Sequence, residues 1–133
     1  MKKHKYLLDT NVLIAMFRGN QSVRNSIIRV GFDNCAVSEV SIAELFYGAA
    51  KSGRQSHFDD VKNVMRQFEI VPVFLSLERY GELKADLERK GMRIDEFDLL
   101  IAATAIFNQQ TLVTANTKHF SRLPGLDIVN WEK

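Results

Sequence analysis

Five short apolar runs punctuate this chain, and between them the apolar residues fall at helical spacing. The runs are Tyr6-Leu-Leu, Cys35-Ala-Val, Ile70-Val-Pro-Val, Thr111-Leu-Val-Thr and Leu126-Asp-Ile-Val. Each fits a short buried strand. Val12, Leu13, Ala15 and Met16 begin the first helical stretch, and a second covers Gln21 to Val30. A third helix is expected over residues 41–50, ending in Lys51-Ser-Gly. Phe58, Val61, Val64, Met65 and Phe68 form another helical stripe, and Leu77, Tyr80, Leu83, Ala85 and Leu87 run in register to Gly91, a helix stop. Residues 97–107 are apolar on nearly every face, so their helix is expected to be buried on several sides. Strands alternating with helices imply an α/β layer architecture around a mostly parallel sheet. In such sheets, sites form beyond the carboxyl ends of the strands.

Composition narrows the class further. A chain of 133 residues with no repeat, low-complexity tract or linker reads as one domain over 1–133. Its 46% hydrophobic and 26% charged residues are those of a folded globular protein. The 97–107 stretch falls far short of the ~20 residues that cross a bilayer. The start, Met-Lys-Lys-His-Lys, reaches Asp9 after three more residues and fits no signal peptide. A single cysteine, Cys35, excludes an internal disulfide and a cysteine-based zinc cluster. The expectation is a cytoplasmic protein with no membrane partner. A net charge of +2, spread along the chain, permits a polyanionic partner without demanding one.

Three acids stand where such a sheet would place a site. Asp9 closes the first strand, Glu44 lies in the helix after the second, and Asp98 lies at the edge of the most apolar helix. Each has a purely structural reading. Asp9 before Thr10 and Asn11 suits a helix N-cap, and Ser41-Ile-Ala-Glu44 matches a capping box. Asp95-Glu-Phe-Asp98 puts acids in a helix's first turn, where the dipole favours them. Together they are harder to explain that way, because two carboxylates ~5 Å apart repel by about 3 kcal/mol at an effective dielectric of ~20. A bound cation removes that penalty. An all-oxygen cluster without histidine or cysteine suits Mg²⁺, or Mn²⁺, rather than zinc. Such an ion polarises a phosphate oxygen and lowers the pKa of water, which is phosphodiester-cleaving chemistry.

At these residues the chain resembles PIN-domain ribonucleases, specifically the VapC-type toxins of toxin–antitoxin pairs. The segments that carry the resemblance are Leu7-Leu-Asp-Thr-Asn-Val-Leu-Ile, Ser41-Ile-Ala-Glu-Leu-Phe-Tyr-Gly, Asp98-Leu-Leu-Ile-Ala-Ala-Thr-Ala and Leu112-Val-Thr-Ala-Asn-Thr-Lys-His-Phe. The tail Pro124-Gly-Leu-Asp-Ile-Val-Asn-Trp is also similar to that family's ending. The resemblance implies a three-layer α/β/α sandwich and a Mg²⁺- or Mn²⁺-dependent endoribonuclease acting on RNA through metal-activated water. It places the family's acids on Asp9, Glu44 and Asp98, with Asn116 at a fourth position that is often aspartate. An amide there leaves the site one negative charge poorer, which makes one ion the expectation rather than two. Asp95 is a candidate further carboxylate. Thr10, Asn11 and Thr114 flank the acids and are candidates to orient carboxylates or waters. Arg18, Lys51, Arg54, Arg93, Lys118 and Arg122 are candidate contacts to RNA phosphates. His119, beside Phe120, is read as packing near the site rather than as a base. The resemblance further implies a homodimer and a cognate antitoxin whose tail occupies the active-site groove.

Two rival readings remain at this stage besides a PIN nuclease with an RNA-processing rather than toxin role. An α/β phosphotransferase would use Asp9 as a nucleophile, but that chemistry explains neither Glu44 nor the Asp98 helix. A degenerate PIN-like binding module would not need all three acids. No G-x-G-x-x-G or G-K-[ST] loop is present, so no nucleotide cofactor is expected.

Overall fold

The computed structural model describes residues 5–132; the basic start read at residues 1–4 lies outside them. Strands β1 (Tyr6–Leu8), β2 (Cys35–Ser38), β3 (Glu69–Val71), β4 (Thr111–Val113) and β5 (Ile128–Val129) form one sheet in the order β3-β2-β1-β4-β5. Every pairing is parallel. Around the sheet lie α1 (Thr10–Phe17), α2 (Gln21–Val30), α3 (Glu39–Ser52), α4 (Gln55–Gln67), α5 (Leu77–Arg89), α6 (Glu96–Phe107) and α7 (Thr117–Phe120).

The register explains the layering. Leu7 pairs with Ala36 and Leu112, while Leu8 pairs with Val37 and Val113. Successive strand residues point to opposite faces, so these two rungs feed two separate cores. Leu7, Ala36 and Leu112 pack with Leu83 and Leu87 of α5, Leu99 and Ala102 of α6, and Phe120 of α7. Leu8, Val37 and Val113 pack with Val12 and Leu13 of α1, Val23 and Ile27 of α2, Leu45 of α3, and Val61 and Val64 of α4. The result is the expected α/β/α sandwich. It also explains why the strands are apolar throughout rather than alternating, since both faces of the sheet are covered.

Strand lengths and helix ends depart from expectation for local reasons. β3 stops at Val71 because Pro72 has no N–H to give the ladder. The chain then turns, with the Val73 N–H donating to Glu39 Oε1 at 2.7 Å, into a 3₁₀ segment over Phe74–Ser76. β5 spans only Ile128–Val129. α3 starts two residues earlier than expected, because Ser38 at the end of β2 is already a working cap: its hydroxyl accepts from Val40 N–H at 3.0 Å. The helix ends at Gly53, whose φ of 70° is left-handed. Met65 is exposed, at the margin of the Val61 and Val64 stripe. α6 is buried through its middle as expected, and its end residues Phe97 and Phe107 are about half exposed.

The chain builds β2 and β3 on one side of β1, then crosses back to lay β4 and β5 on the other. That reversal makes the β1/β4 boundary the switch point, where the crevice of an open parallel sheet opens. Leu7 sits fully buried on this central strand. Leu7→Ala is expected to lower unfolding free energy by about 2–5 kcal/mol, read as a reduced urea midpoint at unchanged slope. Leu75→Ala, at a residue 62% exposed, is expected to stay within about 0.5 kcal/mol of the parent. Equal effects would contradict this layering.

Candidate active site

Asp9 is where β1 ends and α1 begins. Its N–H still belongs to the sheet, donating to Val113 O at 3.0 Å, while its carbonyl accepts from Val12 and Leu13 N–H as the first helical bonds. The carboxylate is 3% exposed and held at both oxygens. Oδ1 accepts from Thr10 N–H at 2.8 Å and Oδ2 from the Thr114 hydroxyl at 2.9 Å. Thr114 directly follows β4, and its oxygen accepts from Asn116 N–H at 3.0 Å. Burial pushes the Asp9 pKa up, and the bonds from Thr114 and Thr10 pull against it. A carboxylate engaged at both oxygens and shut from solvent is a poor nucleophile, so the geometry lends the phosphotransferase reading no support.

Glu44 reaches the same place from α3. Its Oε1 lies 2.6 Å from Thr10 Oγ1, which lies 2.8 Å from Ser41 Oγ. A carboxylate only accepts, and a hydroxyl has one proton to give. Thr10 therefore donates to Glu44, and Ser41 donates to Thr10. The capping-box reading of Ser41 and Glu44 is thereby corrected. The helix is capped by Ser38, and both residues lie inside it and meet α1 instead. Burial raises the Glu44 pKa, the Thr10 bond opposes this, and the charges of Asp9 and Asp95 raise it further.

Asp98 stands in the first turn of α6 with its side chain 27% exposed. Its pKa is raised to about 7 by burial first, then by the charges of Asp9, Asp95 and Glu44. Asp95 caps this helix, its Oδ2 accepting from Phe97 N–H at 3.1 Å and Asp98 N–H at 3.4 Å. It thus serves as the cap and adds its charge to the cluster. His119 Nε2 lies 3.7 Å from Asp98 Oδ2, and its ring packs edge-on against Phe120. Asn116 precedes α7, exposed, with its side chain making no cap bond. Asn11 is exposed and lines a depression with Ile14, Arg18 and Ala115. Of the candidate phosphate contacts, Arg18, Lys51, Arg54, Arg93, Lys118 and Arg122 are all exposed. Arg18 also lines a groove of about 360 Å³ with Ile14, Phe17, Leu45 and Glu44.

The structure thus brings Asp9, Glu44, Asp98 and Asp95 into mutual electrostatic range, with Thr10 and Thr114 bonded to two of them. Among the described residues, no three acidic, histidine or cysteine side chains converge closely enough to enclose an ion. That arrangement fits a hard cation of the Mg²⁺ type, which keeps several waters and takes one or two carboxylates plus substrate oxygens. Sequence reasoning passed over Ser41 as an orienting group, although its place one turn before Glu44 on the same helix was a usable signal.

Parallel strands with acids gathered at the switch point define the class, and a family profile described as PIN domain matches residues 6–126. Over 132 residues the chain is 37% identical to Ribonuclease VapC2 of Rickettsia felis, covering 96% of this chain and 98% of that protein. It is 27% identical to the tRNA(fMet)-specific endonuclease VapC of Salmonella typhimurium, covering 96% and 98%. The crystal structure of VapBC2 from Rickettsia felis bound to a promoter DNA fragment superposes with a TM-score of 0.86 at 36% identity, covering 95% and 98%. The chain belongs to the PIN-domain family and, within it, to the VapC ribonucleases. It is a nuclease, and thus a hydrolase.

The raised acids fix a pH dependence. With the Asp98 pKa at about 7 in the fold and near 3.9 unfolded, the native state binds more protons across that interval. Stability is therefore lost as pH rises from about 4 to about 7. In EDTA the melting temperature is expected to fall over this range, and Asp98→Asn is expected to flatten the fall. Excess Mg²⁺ or Mn²⁺ should raise the melting temperature more at pH 8 than at pH 5. A cation effect equal at both pH values would contradict the assignment.

Proposed function

We propose that this chain is the toxin of a VapBC-type pair, an endoribonuclease that uses Mg²⁺ or Mn²⁺ at Asp9, Asp98 and Glu44 to hydrolyse RNA phosphodiesters in the cytoplasm. The observation that carries this reading is the gathering of three acids, from β1, α3 and α6, at the switch point of the sheet, each raised by burial. The VapC ribonucleases it matches support the reaction class.

When bound, the ion supplies charge neutralisation, polarisation of the phosphate and a more acidic water. The chain's own residues do the rest. Thr114 and the Thr10 N–H fix the orientation of Asp9. The Thr10 hydroxyl aims one oxygen of Glu44 and leaves the other available. Asp98, its side chain 27% exposed, offers its carboxylate from the first turn of α6, with the Asn116 amide as a candidate neutral oxygen or N–H₂ donor. Arg18, exposed beside Glu44, suits a phosphate of the bound strand.

The similarity to VapBC complexes supports an antitoxin partner. The groove lined by Ile14, Phe17, Leu45 and Val61 runs to Glu44 and suits an apolar antitoxin segment that blocks the acids. Exposed Phe74, Leu75 and Leu77 support burial of further apolar surface against a second copy.

The test is cleavage of total RNA by purified protein. Activity is expected with Mg²⁺ or Mn²⁺ and not in excess EDTA, and Asp98→Asn should lower the rate by at least about 10²-fold. Undiminished cleavage in EDTA would sink the metal-nuclease reading. Harmless induction of the chain without its antitoxin would sink the toxin role.

A further inference from the structure

We propose that Ser41 is a positioning residue of the nuclease site, acting on Glu44 through the hydroxyl of Thr10. The inference rests on the metal-nuclease reading above and adds to the acids a residue that is not itself acidic and does not bond Glu44 directly.

Three observations carry it. Ser41 is fully buried and Thr10 is 7% exposed, so the bond between them is shut from solvent. The chain of oxygens is continuous, 2.8 Å from Ser41 to Thr10 and 2.6 Å from Thr10 to Glu44. Its direction is forced, because an ionised Glu44 cannot donate, and Thr10's single proton is already committed to it. Only the Ser41 hydroxyl can then fill the Thr10 oxygen from this side. That bond fixes the Thr10 rotor, and the fixed rotor holds the Glu44 carboxylate.

The geometry also explains why a serine stands inside a helix, where it does not favour the helical state. Ser41 and Glu44 lie one turn apart on one face of α3, and Thr10 opens α1 directly after Asp9. The bridge thus ties the helix carrying Glu44 to the end of the strand carrying Asp9. A second bridge of the same form holds Asp9, running from Asn116 N–H to the Thr114 hydroxyl and on to Asp9 Oδ2. Each of these two acids is thus oriented by a threonine whose own oxygen is filled from behind.

The experiment measures Mn²⁺ affinity on RNA-free protein by calorimetry, and kcat and KM on RNA, for the parent, Ser41→Ala, Glu44→Gln and the double variant. Groups that orient metal-binding carboxylates typically change metal affinity or activity by about 10–100-fold when removed. Ser41→Ala is expected to lose on that scale in Mn²⁺ affinity or kcat, with KM for RNA little changed. In the Glu44→Gln background the same substitution should change little, because the carboxylate it acts through is gone. A loss equally large in both backgrounds would show a structural role and overturn the proposal, as would parental values for Ser41→Ala. Ser41→Cys, close in size but a weak donor, should match Ser41→Ala; it also replaces Ser41→Ala in the cycle if the urea midpoint shows that variant to be unfolded. If the parent itself neither binds Mn²⁺ nor cleaves RNA, the metal-nuclease reading fails rather than the role of Ser41 within it.

Discussion

Where β1 and β4 end side by side, the Thr114 hydroxyl donates to the Asp9 carboxylate at 2.9 Å. That bond exists only because Leu8 is paired with Val113 and the chain continues one residue further on each strand. A register slip of one residue would turn every side chain of a strand to the opposite face. Leu7 would then enter the α1–α4 core and Leu8 the α5–α6 core, and Thr114 would no longer face Asp9. The apolar register and the active-site geometry are therefore one constraint. Packing that keeps the strands aligned also keeps the acid oriented, and the site needs no separate device to place its first carboxylate.

The acids are not equally accommodated. Asp9 has two donors and lies at the start of α1, where the helix dipole favours its charge. Glu44 has the Thr10 hydroxyl. Asp98 has the dipole of α6, but His119 Nε2 stands 3.7 Å from its Oδ2, beyond hydrogen-bond length. Its pKa is accordingly the one raised to about 7. The fold thus concentrates its unmet electrostatic demand on one carboxylate, that of Asp98. A positive charge placed beside that group would relieve the penalty that burial and three neighbouring acids create.

How much of this could be read from the sequence follows from the length scale of each signal. The positions of all five strands were legible, because a sheet covered on both faces demands unbroken apolar runs. Their ends were not, since β3 is cut by Pro72 and β5 is limited by its pairing with β4. α7, at four residues, is shorter than any periodicity can register. Asp9, Glu44 and Asp98 were legible as a set through their places after strands and on a buried helix. The role of Ser41 was not. Ser-x-x-Glu satisfies the capping-box pattern, and only the three-dimensional fact that Ser38 already caps α3 frees Ser41 to bond across to α1. Local pattern cannot rank two nearby serines as caps when the end of the preceding strand decides between them.

The same distinction between backbone and side chain clarifies the fourth position. Asn116 contributes its N–H to Thr114, and through it to Asp9, while its amide stays exposed and makes no cap bond. The positioning role at this residue is carried by the main chain, which an aspartate would carry equally well. The choice of side chain therefore sets charge without disturbing the clamp on Asp9. An amide here avoids adding another carboxylate to a cluster in which Asp98 is already strongly opposed by its neighbours. It also removes the extra anionic ligand that a second closely held cation would need. The physical consequence is that the negative charge gathered here comes from Asp9, Glu44, Asp98 and Asp95, while two threonines orient Asp9 and Glu44.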